Sequence, residues 1–115
     1  MFRFEELEIW KLAVDYGKEC YKISGQFPKY ELFALGDQLR RSSLSISNNI
    51  AEGSTGSAAN FRKYIQTAIG STLETANLLN FAFENKYITL DIKERMYKKA
   101  EVLIKKMRSF SKSLR

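Results

Sequence analysis

Apolar residues recur along this chain at intervals of three and four, which predicts helix almost throughout. The first predicted helix covers residues 5–24. Leu7, Trp10, Val14, Gly17, Tyr21 and Ser24 form one stripe, and Ile9, Leu12, Tyr16 and Ile23 form another beside it. A helix apolar around so much of its circumference is buried on more than one side. In so short a chain the second side is expected to face another subunit.

Gly25-Gln26-Phe27-Pro28 ends that helix, because proline lacks a backbone donor and disfavours helix at Phe27. Pro28 opens a short turn through Leu32. The second predicted helix covers 35–52, with Leu35, Leu39, Ser43, Ile46 and Ile50 as its stripe. Its many small residues (Ser42, Ser43, Ser45, Ser47, Ala51) let a neighbouring helix come close. Gly53-Ser54-Thr55-Gly56-Ser57 is the clearest break. Its glycines are free to take left-handed conformations, and its hydroxyls can cap the next helix.

The third predicted helix covers 58–86. Phe61, Ile65, Ala68, Thr72, Leu79 and Phe83 line one face, and Tyr64, Ile69, Leu73 and Phe81 widen it. After Tyr87-Ile88, Thr89 is placed to cap a fourth helix over 90–113. There Met96, Ala100, Leu103, Met107, Phe110 and Leu114 alternate by four and three. Three short connections between long helices imply an all-α, antiparallel, up-and-down four-helix bundle, one domain over residues 1–115.

Composition removes several functions. The 115 residues include no histidine and one cysteine, Cys20. The usual base near neutral pH, the usual triad partner and the commonest metal ligand are therefore missing. A di-metal carboxylate bundle would need the histidine half of its Glu-x-x-His motif. No catalytic residue, metal or cofactor is assigned, and a non-enzymatic protein is expected. Cys20 reads as a small buried residue. No apolar run approaches the ~18 residues of a membrane span. The N-terminus turns acidic at Glu5-Glu6 and does not read as a signal peptide, so a cytoplasmic protein is expected.

Charge is the strongest remaining signal. The net charge is +6. Residues 1–90 carry equal numbers of basic and acidic side chains, so the whole excess lies in the last 25. On a helical wheel Lys98, Lys105 and Lys112 lie opposite the apolar stripe of the fourth helix. Arg95, Lys99 and Lys106 flank that ridge on one side and Arg108 on the other.

The residues Phe4, Leu7-Glu8-Ile9-Trp10, Phe27-Pro28 and Leu35 through Arg41 carry a resemblance. It continues through Ser45-Ile46-Ser47-Asn48-Asn49-Ile50-Ala51-Glu52-Gly53, Phe61 and Ala68 through Glu74. Together they resemble the bacterial four-helix bundle proteins encoded by intervening sequences of large-subunit ribosomal RNA genes. That family is similar in turn to the accessory proteins of diversity-generating retroelements. The resemblance implies a four-helix bundle assembled as a ring-like homopentamer that binds RNA. It also implies, through the retroelement proteins, an alternative: a scaffold or adaptor for another protein, such as a reverse transcriptase or polymerase.

Two sets of residues follow as candidates. Arg95, Lys98, Lys99, Lys105, Lys106, Arg108 and Lys112, with Arg40, are expected to meet nucleic-acid phosphates. The stripe of Gln38, Arg41, Ser45, Asn48 or Asn49, and Glu52 is expected to form a polar network between helices. In it Arg41 would pair with a carboxylate such as Glu52 or Glu74. The Gly53–Gly56 loop lacks the lysine and preceding strand of a phosphate loop, and reads as a turn and cap.

Overall fold

A computed structural model describes all residues 1–115. Four helices follow one another: α1 (Glu8–Ser24), α2 (Leu35–Gly53), α3 (Ala58–Glu84) and α4 (Leu90–Ser113). Each packs on its neighbour in sequence, and α1 closes the bundle against α4. The rod measures 45 × 23 × 21 Å.

The first helix starts later than residue 5. Arg3–Glu6 forms a separate 3₁₀ turn, held by the Phe2 backbone N–H donating to Glu5 Oε1 at 3.0 Å. Phe4 then packs edge-on to Trp10, 5.1 Å between ring centres. Arg3 reaches across to the Ser54 carbonyl at 3.2 Å and lies over the Phe61 ring. These contacts fold the N-terminus over the α2–α3 corner instead of extending α1.

Ser57 and Thr89 cap α3 and α4, accepting from the backbone N–H of Asn60 and Ile92. The α2–α3 corner corrects one expectation, because no glycine in it has positive φ. Gly53 is needed for space: a Cβ there would lie 2.6 Å from the Tyr64 Cβ and 2.8 Å from the Phe61 ring. The left-handed residue is instead Lys86, at φ 64°. It ends α3 two residues before the predicted boundary.

The core follows the predicted stripes on α2 and α4. Leu35, Leu39, Ile46 and Ile50 are buried, as are Met96, Ala100, Leu103 and Met107. On α1 the buried line is Ile9, Ala13, Tyr16, Cys20 and Ile23, whereas Tyr21 is 48% exposed. On α3, Leu73 and Phe81 point out of the core, each 55% exposed. No helix is long and apolar enough to cross a membrane.

Candidate nucleic-acid interface

The fourth helix buries one stripe and so must present the opposite one to solvent. Lys98, Lys105, Arg108 and Lys112 are all exposed and none is in an ion pair. Successive lysines of this row are seven residues apart, about 10.5 Å along the helix axis. Lys105, Arg108 and Lys112 line one open concavity of about 500 Å³ between α3 and α4, together with Leu73, Ile104 and Ser109. Glu101 places one carboxylate on its rim. Three cations around one hollow can hold a polyanion's phosphates, because each is already exposed and has no partner to give up.

The other flank is tied down. Arg95 and Lys99 both pair with Glu19 on α1, and Lys106 pairs with Glu8 at 3.1 Å. Partial burial would push the Glu19 carboxyl up. The Lys99 hydrogen bond and the charges of Lys99 and Arg95 outweigh it and hold the group below the usual carboxylate range. The basic surface is therefore lopsided, with its free charges towards α3.

Arg40 is not part of that face. Its guanidinium donates to the Leu32 carbonyl at 2.8 Å and to Ser24 Oγ at 3.2 Å. It ties the 28–34 turn to the ends of α1 and α2. Its side chain is only 21% exposed, so phosphate would have to displace these bonds.

The expected polar network also differs. Arg41 pairs with Asp37 at 2.8 Å, one turn earlier on its own helix, and not with Glu52 or Glu74. Gln38, Asn48, Glu52 and Glu74 are exposed. Hydroxyls make the α2–α3 contact. Ser45 Oγ lies 2.9 Å from Ser71 Oγ and accepts from the Asn49 amide at 3.0 Å. Deeper in, Thr75 Oγ1 lies 2.8 Å from Ser42 Oγ and donates to the Ser71 carbonyl at 2.7 Å. Short side chains let the helices approach, as the serine content of α2 implied, and the longer polar groups are left outside.

Sequence reasoning missed Arg62 on α3. It donates to the Leu114 carbonyl at 3.1 Å, and so brings a further cation to the C-terminal end of α4. The charge count could not single it out, because residues 1–90 are balanced overall.

The fold and this surface define a basic, all-α four-helix-bundle protein. A family model described as 23S rRNA-intervening sequence protein matches residues 5–109. The chain belongs to that family. A solved structure of a protein of unknown function from the S23 ribosomal protein family of Bacteroides thetaiotaomicron has the same fold. It superposes with a TM-score of 0.83 at 21% identity, covering 91% of this chain and 96% of that one. No curated protein matches the sequence.

Proposed function

We propose that this chain is a non-enzymatic, cytoplasmic RNA-binding module that works as a homo-oligomer, a ring of five by family resemblance. The observation that carries the proposal is the row of unpaired cations on α4, three of them around one hollow. Lysines and an arginine without carboxylate partners give sequence-independent, salt-sensitive affinity for phosphates. Repetition around a ring would multiply a weak contact through avidity. The family is named for intervening sequences of ribosomal RNA, which makes structured RNA the first polyanion to test.

The test is binding of a labelled structured RNA to the native protein and to the Lys98→Gln, Lys105→Gln, Arg108→Gln, Lys112→Gln variant. Affinity is expected to fall by at least tenfold with the helix content unchanged. Unchanged affinity would remove this face from the account. No binding by the native protein even at low salt would leave the face to an acidic protein partner.

A further inference from the structure

The bundle leaves a second surface incomplete. A groove of about 420 Å³ runs between α1 and α2 over Val14, Gly17, Tyr21, Leu44 and Ser47. Tyr21 and Leu44 remain 48% and 46% exposed there. Val14, Gly17 and Tyr21 belong to the first of the two apolar stripes of α1; Gly17 is buried beneath α2, and Tyr21 stays open to solvent. Lys18 and Lys22 stand on the rim, and neither has an ion-pair partner. An occupant should therefore carry an apolar ridge flanked by carboxylates.

The same chain offers one exposed apolar side chain set between carboxylates. Phe81 lies on the outer face of α3, 55% exposed. Glu74 and Glu84 share that face within about 80° of arc, two turns before it and one turn after it. Both carboxylates are exposed and unpaired. Leu73, another exposed apolar residue of α3, lines the hollow with Lys105, Arg108 and Lys112. Its surroundings would repel Lys18 and Lys22.

We infer that the α1–α2 groove receives α3 of a second copy. Phe81 seats against Tyr21 and Leu44, and Glu74 and Glu84 face Lys18 and Lys22. The two surfaces are different patches of one chain, so the contact is head-to-tail. It closes into a ring where the rotation allows and otherwise grows into a filament. Neither patch includes Lys98, Lys105, Arg108 or Lys112. The inference rests on the oligomeric part of the proposed function and is independent of its RNA part.

Light scattering tests it, with circular dichroism as the check on folding. The native protein is expected at a multiple of the 13.3 kDa chain mass. The Lys18→Glu, Lys22→Glu variant and the Glu74→Lys, Glu84→Lys variant should each fall to the chain mass at the same concentration, weakened at least tenfold. Combining all four substitutions should restore the native mass, because the charges are then exchanged across the contact. A monomeric native protein would overturn the inference. So would either double variant keeping the native mass, or a quadruple variant that stays dissociated. RNA affinity measured on the same samples reports separately on the α4 face.

Discussion

The hydroxyl of Tyr16 is buried and has no hydrogen-bond partner in this chain. Burial, together with neighbouring Cys20, Tyr97 and Glu19, pushes its pKa well above the ordinary phenol value, so it stays protonated. An unmade buried hydrogen bond costs about 1–3 kcal/mol. Tyr16→Phe is therefore expected to leave thermal stability unchanged or raise it by about 1 kcal/mol, about 4 °C in the melting midpoint. A drop of several degrees would show that the hydroxyl has a partner. Burial likewise pushes the Cys20 thiol up to about 12, against a lowering hydrogen bond from Ser43. Thiol reagents at neutral pH are expected to label Cys20 only on unfolding.

Glu19 provides a pH test. Its pKa is lower folded than unfolded, so its stabilisation is present above the ordinary carboxylate range and is lost as pH falls through the folded value. Its partners are about half exposed, which limits the effect to about 0.5 kcal/mol. Glu19→Gln should therefore unfold slightly more easily than the native protein at pH 7. The gap should close as the solution is acidified below the usual glutamate pKa. A gap that persisted in acid would place the effect in packing instead.

Among the elements, two helix positions occupied by glycine should respond in opposite directions. Gly53 has no room for a methyl group against Tyr64 and Phe61, so Gly53→Ala should cost about 1–3 kcal/mol in chemical denaturation. Gly70 lies mid-helix on α3, and nothing lies within 4 Å of where its Cβ would be. There alanine should stabilise by about 0.5–1 kcal/mol through backbone entropy. Equal responses at the two sites would contradict the packing described at the α2–α3 corner.

The elements also explain what the sequence could reveal. The α4 stripe was legible because its spacing is strict and its opposite face is rich in charged residues. The Thr89 cap was legible because capping is local chemistry, whereas Ser54, Thr55 and Ser57 were equal candidates for the other until the structure showed Ser57 accepting from Asn60. Phe81 was misplaced because apolar character stood in for position: it lies two residues beyond Leu79, about 200° round the helix. Leu73 follows buried Thr72 and sits about 100° away. Arg40 could not be assigned from sequence, since its partners Leu32 and Ser24 lie 8 and 16 residues away and meet it only once the turn has folded. The same holds for Arg95, Lys99 and Lys106. Their spacing put them on a basic flank, but only the α1–α4 packing supplies the carboxylates that neutralise it.

For the whole molecule, shape and charge agree. A compact monomer of this mass would expose about 6,400 Å², and this rod exposes 7098 Å². The exposed surface includes apolar side chains on α1, α2 and α3 and the long basic face of α4. The first suits contact between copies, and the second suits a polyanion. A ring built on the first would repeat the second once per copy.

Contact between the unpaired cations of α4 and RNA phosphates is the step on which the proposed function turns. The most direct measurement is RNA affinity across a salt series, read as the slope of log affinity against log salt. It should be made on the native protein, on the Lys98→Gln, Lys105→Gln, Arg108→Gln, Lys112→Gln variant, and on a control with glutamine at Lys11, Lys29, Lys63 and Lys86. Each lost phosphate contact lowers the slope by roughly 0.9. The α4 variant's slope is expected to fall by roughly three to four, while the control, with equal charge removed, stays near the native value. Equal slopes for the two variants would mean that net charge alone holds the RNA, and would contradict a defined face on α4.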